Sequence, residues 1–306
     1  MQMQKYYFGW LPDYPDLRDY TVEKDAISEK GKKAGIKASV KEMALKTGIL
    51  DLDSKKKLPS SVDLRKWCSP VEDQGSLGSC TANAGVGLLE YFENKAFGKY
   101  LDGSRLFLYK VSRNLLQKKG DYGAYIRTTM MAMVLFGIPP EKYLPYDIEK
   151  FDEEPDSFCY AFALNYQAAQ YFRLDPSNLS KEKVLSQIKT NLAAAIPAIF
   201  GFTVYSSINQ AGKDGKIPFP SQNEQIEGGH AVVAVGYDDK MKITNENNGE
   251  KTQGAMMIRN SWGVQWGEEG YGWLPYKYIL EGLAIDWWTL LENEWVDTGN
   301  FNIRED

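Results

Sequence analysis

Apolar positions along the chain follow two different rhythms. In the first half they recur every three or four residues. Ala82, Val86, Leu89, Phe92 and Ala96 form the clearest such stripe, which predicts a helix entered through Ser79 as N-cap and stopped at Gly98. Comparable stripes predict helices over Arg105 to Gln117 (Leu106, Tyr109, Leu116), over Ile126 to Leu135, and after Ser180 through Val184, Leu185, Ile188 and Leu192. Beyond Pro197 the helical spacing is lost. IFGFTVY, HAVVAVGY, AMMIRN and YGWLPY are short β-branched and aromatic runs separated by Gly, Asn, Asp and Lys clusters, the signature of strands joined by turns. Helices followed by strands, without βαβ alternation, give an α+β protein whose two lobes meet at a cleft.

Residues 1 to 57 stand apart from this pattern. Pro12 and Pro15 bias their aromatic surroundings towards extended backbone. The stretch from Ser28 to Lys57 is rich in lysine, with one weakly periodic helical patch at Val40, Met43, Ala44 and Leu45 and a short lysine run, Lys55 to Lys57. This part reads as an appendage on a body that begins at Leu58.

Composition narrows the function classes. The chain has 306 residues, 43% hydrophobic, 25% charged and 13% aromatic, the profile of a globular protein with a large core. Its 36 basic and 41 acidic side chains leave a formal charge of −5, which offers no general attraction to nucleic acid or anionic lipid, so neither is expected as a partner. No window reaches the roughly 18 apolar residues of a membrane helix, and the start has no apolar leader region. A cytoplasmic location is the expectation, with secretion the alternative if a leader has been removed.

Three cysteines, Cys68, Cys80 and Cys159, are too few and too scattered for a disulfide scaffold or a CxxC metal site, and His230 is the sole histidine. No multi-histidine metal site can be built. Taken singly, a cysteine is most often a small buried hydrophobe and a histidine a structural residue. Context changes both readings. Cys80 falls in the first turn of the best-supported helix, after Gly75 and Gly78, where a helix N-terminus lowers a thiol's pKa and a backbone N–H is free to meet a carbonyl. Gln74 offers a neutral amide to the same oxyanion. His230 follows Gly228 and Gly229, which would thin the wall beside the ring and admit a reactant. Asn260, otherwise a turn residue closing a strand, has a carbonyl able to orient an imidazole, as in Cys-His-Asn triads. Trp262 is by default a core aromatic, but an indole over the Asn-His contact would exclude water.

In order, QGSLGSC-TANA, GGHAVVAVGY and NSWGVQWGEEGYGWLPY resemble the three active-site blocks of the papain-like (C1) cysteine peptidases. The resemblance runs from LPSSVDLR at Leu58 to about Asp286. It implies a helical left lobe at about 75 to 175, a barrel-like antiparallel right lobe at about 176 to 290 with crossing termini, and an active-site cleft between them. It also implies Cys80 as nucleophile, His230 as acid and base, Asn260 as orienter, Gln74 as oxyanion donor and Trp262 as shield. A weaker block, GDYGAYIRTTMMAM, resembles the family's substrate-pairing segment. It places Gly123 and Ala124 along the groove and Ile126 beside the pocket for the second residue before the cut, and Gly229, just before His230, is a further candidate for substrate binding.

Two departures matter. Thr81 stands where an aromatic residue usually follows the nucleophile, and the family's left-lobe disulfides are missing, so Cys68 and Cys159 are free or paired with one another. SCTANA and the segment from Gly9 to Asp19 are similar to the bacterial-type branch. For residues 1 to 57 two readings stand: a structural strap, or an inhibitory segment whose aromatic part, residues 6 to 20, lies in the groove. The implied activity is endopeptidase cleavage of peptides or proteins, and it implies no metal or organic cofactor. The alternatives are acyl transfer to an amine on the same site, and a catalytically silent peptide-binding module.

Overall fold

The computed structural model describes residues 6–27, 32, 37–50, 57–166 and 170–302. The lysine-rich residues 28–31 and 33–36, Lys55, Lys56, and the join between appendage and body at 51–56 therefore lie outside the described residues. In chain order the elements that position the site are strand β1 (Trp10–Leu11), helix α1 (Val40–Lys46), β2 (Ser61–Asp63), α2 (Cys80–Phe97), α3 (Arg105–Leu115), β3 (Ala124–Tyr125), α4 (Ile126–Leu135), α5 (Ser157–Ala163), β4 (Gln170–Arg173), α6 (Lys181–Ala193), β5 (Ala198–Tyr205), β6 (Ile226–Thr244), β7 (Lys251–Arg259), β8 (Tyr271–Pro275), α7 (Tyr276–Leu280) and β9 (Ala284–Leu291). Helices dominate before residue 170 and strands after it. The protein has the α+β two-lobe architecture.

The spine is α2. It ends where Gly98 takes the left-handed conformation, φ 70°, and donates its N–H to the Asn94 carbonyl at 2.8 Å, a turn that glycine adopts without a Cβ penalty. Residues from Cys80 to Phe92 are buried on every face, as in a helix enclosed by the rest of a protein. One face meets α3 and α4 across Gly85, which leaves room for Leu108, Thr129 and Met133, and another meets the sheet where Gly87 lies under the Arg259 guanidinium. That guanidinium donates to the Ser69 hydroxyl at 3.0 Å and the Pro70 carbonyl at 2.7 Å. The loop before α2 is thereby tied to β7.

The second lobe is one sheet in the order β4-β9-β5-β6-β7-β8, with β2 paired to β6. The 19-residue β6 pairs with β5 through its first half, Phe202 opposite His230, and with β7 further along. Register shifts between Ala234 and Gly236 and between Asp238 and Lys242 bend it, as bulges do. Residues 198–202 and 230–237 are buried on both faces, which explains why these strands read as continuous apolar runs and not as alternating ones. His230 consequently lies within a strand that starts at Ile226, where the sequence suggested its head.

The appendage packs on the body. β1 pairs in parallel with β3, Trp10 opposite Ala124. Further along, the Asp13 carboxylate and the Arg127 guanidinium are 2.5 Å apart, and Asp19 pairs with the same arginine. The helix α1 carries a capping box at Ser39 and Glu42, and Gln170 donates to the Ala38 carbonyl at 3.0 Å.

Candidate active site

Cys80 is the first residue of α2 and His230 lies in β6, yet the backbone N–H of Ala231 donates to Cys80 Sγ at 3.4 Å. The helix start and the strand thus meet at the thiol. Ser79 occupies the N-cap position, but its hydroxyl caps no helix N–H. It pairs with the Tyr146 hydroxyl at 2.5 Å. Of the first-turn N–H groups, those of Ala82 and Asn83 donate to the Ser79 carbonyl at 3.0 Å, and those of Cys80 and Thr81 face the Cys80 thiol.

Behind the imidazole, His230 Nε2 and Asn260 Oδ1 are 2.8 Å apart. The same oxygen accepts the Ser261 N–H at 2.8 Å, which identifies it as the amide carbonyl. Nε2 therefore carries the proton, and Nδ1 has its lone pair free, with no hydrogen-bond partner among the described residues. Trp262 stacks on the ring at 4.4 Å with 20° between planes. Gln74 is held at both ends by Ser261: its N–H donates to the Ser261 carbonyl at 2.9 Å, and its Oε1 accepts the Ser261 hydroxyl at 2.6 Å. This turns the Gln74 amide nitrogen towards the groove.

The access expected from Gly228 and Gly229 is not open in this structure, and Cys80 and His230 are both fully buried. Part of that cover is the protein's own residues 6 to 11, while Phe202 of β5 also meets the His230 ring edge-on at 5.9 Å. Tyr6 stacks on Trp262 at 4.2 Å, so the indole is sandwiched between Tyr6 and His230. The Tyr7 carbonyl accepts from Gln74 Nε2 at 3.2 Å. Phe8 lies against Gly228 and meets the His230 ring edge-on at 6.1 Å. Gly9 passes so close to Gly78 that a Cβ there would overlap the Gly78 carbonyl, and its own carbonyl accepts from Ala124 N–H at 2.8 Å. Trp10 lies against Gly229 and Gly201.

Gly123, at φ 75°, faces the Gly9 carbonyl where any side chain would collide. Gly123 and Ala124 therefore line the covered groove together with Gly229. Ile126 is wholly buried at the start of α4. Cys68 and Cys159 are free thiols. Thr81 is buried next to Cys80, its hydroxyl without a hydrogen-bond partner among the described residues.

Burial sets the charges. It pushes the Cys80 thiol up to about 11, only partly offset by backbone N–H groups of Ala231 and Gly9, and it pulls His230 down to about 4 against the pull of Asn260. With the segment in place the pair is thiol and neutral imidazole at neutral pH.

Several residues of the site carry no local signal in the sequence. Asp121 accepts the Gly78 N–H at 3.0 Å on each oxygen and the Tyr109 hydroxyl, which itself accepts from Gly123 N–H at 3.2 Å. One carboxylate and one phenol thus tie together two stretches of the helical lobe, at Gly78 and at Gly123, that both touch Gly9. Tyr146 donates to the Gln74 carbonyl at 2.9 Å. Outside the groove, Glu72, Asp102 and Glu141 approach one another, but the Arg105 guanidinium already pairs with Glu72 at 2.6 Å and Glu141 at 2.7 Å. No described helix is long and apolar enough to cross a membrane.

A thiol, an imidazole and an amide gathered between a helical lobe and a sheet lobe is the arrangement of two-lobed cysteine peptidases. Residues 58–279 match the family model described as papain family cysteine protease. The chain is 35% identical over 293 residues to the uncharacterized peptidase C1-like protein L477 of Acanthamoeba polyphaga mimivirus, covering 93% of this chain and 86% of that protein. It is 29% identical over 230 residues to cathepsin K of Gallus gallus, covering 72% of this chain and 59% of that protein. Among solved structures, xylellain, a cysteine protease from Xylella fastidiosa, matches with a TM-score of 0.69 at 31% identity over 95% of this chain and 97% of that one. The chain belongs to the papain family of cysteine proteases, and it is a hydrolase of the cysteine peptidase type acting on peptides or proteins.

Proposed function

We propose that the protein is a thiol endopeptidase held in check by its own residues 6 to 11. The observation that carries the reading is that the residue after His230 meets the Cys80 sulfur at the start of α2, with His230 oriented by Asn260 and the Gln74 amide turned to Tyr7 of the segment that lies over both. Once the segment is displaced, the thiol proton passes to His230 Nδ1, whose lone pair the Asn260 contact at Nε2 leaves free. The thiolate attacks a substrate carbonyl carbon. Negative charge gathers on the carbonyl oxygen, stabilised by Gln74 Nε2 and the Cys80 N–H. The imidazolium gives its proton to the departing amine as the C–N bond breaks, leaving a thioester. Water then loses a proton to Nδ1 and adds to the thioester, and the Cys80 sulfur leaves and recovers that proton.

The boundary of the peptidase body at residue 58, and the roles of Gly123, Ala124, Gly229 and Ile126 along the substrate, belong to the same proposal. Support for the restraint comes from Tyr7, whose carbonyl occupies the amide of Gln74, and from Gly9, whose carbonyl takes the Ala124 N–H that an extended substrate would need. A thiol-directed epoxide tests the reading. A mass shift located on Cys80 and absent in Cys80→Ala, with peptide hydrolysis lost in the same variant, is the expected result. Hydrolysis that survives Cys80→Ala would refute it.

A further inference from the structure

The loop from Gln74 to Ser79 separates the two donors assigned to the oxyanion, the Gln74 side-chain amide at its start and the Cys80 N–H just past its end. Its own composition does not fix their spacing. Gly75 is left-handed at φ 59° and Gly78 follows, so the backbone between the donors is of the kind that bends readily. One atom outside the loop holds both ends. Tyr146 Oη donates to the Gln74 carbonyl at 2.9 Å and lies 2.5 Å from Ser79 Oγ.

The proton order at this junction follows from what each group can donate. A backbone carbonyl only accepts, so the single phenolic proton goes to Gln74. Ser79 is then the donor in its contact with Tyr146. Its Oγ in turn accepts from Asn83 Nδ2 at 3.0 Å, and the same amide nitrogen reaches the Ser79 carbonyl at 3.1 Å. Each of these hydrogen bonds has one direction. Tyr146 is itself held, because its N–H donates to Glu141 at 3.2 Å and the Arg105 guanidinium, paired with Glu141, lies 4.2 Å from its ring centre. The Gln74 amide nitrogen gives one proton to the Leu77 carbonyl at 2.8 Å, which leaves the other for the groove, where the Tyr7 carbonyl accepts it.

We propose that Tyr146 is a positioning residue of the peptidase: its hydroxyl sets the spacing of the Gln74 and Cys80 donors, so that both meet one substrate oxygen as negative charge develops there. A misplaced donor costs rate in the transition state and not affinity in the ground state. The inference rests on the peptidase reading, and it separates two reactions of one thiolate. Attack on a peptide carbonyl creates an oxyanion. Attack on a disulfide does not.

The experiment compares the unmodified full chain with Tyr146→Phe, which removes one oxygen and keeps the ring beside Arg105. Two rates are read. One is peptide hydrolysis. The other is reaction with a dipyridyl disulfide, in which the thiolate forms a mixed disulfide and expels a pyridinethiolate, taken as the difference from Cys80→Ala. Both scale with the fraction of molecules whose groove is open, so their ratio is independent of residues 6 to 11. In Tyr146→Phe, kcat should fall about tenfold with KM little changed, while the disulfide reaction stays within about twofold. With Gln74→Ala already present, adding Tyr146→Phe should cost less than it does alone, because one of the two donors it positions is gone. Should Tyr146→Phe fail to fold, Ser79→Ala, which cuts the other arm of the junction, is expected to give the same split. Parallel loss of both rates, or unchanged hydrolysis, would overturn the assignment. Absence of Cys80-dependent hydrolysis in the unmodified chain, with the disulfide reaction intact, would overturn the peptidase reading and the assignment with it.

Discussion

The Tyr7 carbonyl lies 3.2 Å from Gln74 Nε2, so a backbone oxygen of this chain already sits at the amide that the proposed reaction uses for an oxyanion. Nearby, Gly9 fits under Gly78 only because it has no side chain. The covering segment is therefore held by backbone complementarity at its centre and by aromatic contacts on either side.

Gly9→Ala should release it. The added methyl overlaps the backbone carbonyl of Gly78, which cannot rotate away as a side chain would. Because the observed rate scales with the fraction of open molecules, peptide hydrolysis and epoxide labelling should each rise about tenfold or more. Unchanged rates in a folded variant would count against restraint by this segment.

In that opened background, Gln74→Ala should lower kcat by about 10²- to 10³-fold with little change in KM, since the amide acts on charge that develops only in the transition state. Ser261→Ala should cause a smaller loss in the same direction, because it frees the Gln74 side chain without deleting its donor. Steady-state kinetics on the two variants provides the check.

The pH dependence of alkylation distinguishes the closed from the open form. While the segment covers it, the Cys80 thiol is pushed up to about 11 and His230 is held down to about 4, both by burial. Between those values the pair is uncharged. The thiolate fraction below pH 11 then falls about tenfold for each unit of pH, and iodoacetamide labelling should fall with it. In Gly9→Ala the inflection should move to lower pH by several units. A wild-type profile already flat through neutrality would contradict the closed description.

Arg173 is a stability prediction separate from catalysis. It is fully buried, its Nε donates to Asp175 at 2.9 Å, its Nη1 faces Asp286 at 3.3 Å, and its Nη2 donates to the Asp13 carbonyl of the N-terminal appendage at 3.0 Å. Removing one partner of a buried ionic group strands the others. Arg173→Met should therefore cost about 3–5 kcal/mol of unfolding free energy, measured by urea titration. A loss under about 1 kcal/mol would mean that the carboxylates find protons or water instead.

Much of this was legible beforehand because it is local. The stripe from Ala82 to Ala96 predicts a helix, and α2 spans Cys80–Phe97 with its stop at Gly98. The run after Ser180 becomes α6, and AMMIR ends β7 at Arg259. The sequence says less where a side chain's partner is remote. Ser79 holds the N-cap position, yet its hydroxyl pairs with Tyr146 and caps no N–H, and Gly228 and Gly229 read as an opening, but Phe8 and Trp10 lie against them. Asp286 and Asp121 had no signal at all, since a lone aspartate in a sequence does not say which indole or backbone N–H it will meet.

Read alone, the chain determines which stretches coil, which extend, and that a thiol, an imidazole and two amides occur in an order suited to nucleophilic chemistry, because periodicity and residue type are properties of neighbours in sequence. Only the tertiary structure decides that Cys80 meets the residue after His230 across 151 positions, that residues 6 to 11 lie over both, and that the Trp10 indole donates to Asp286. Such contacts depend on how sheet and helices pack and on which polar groups lose water together, and no short window of sequence contains them.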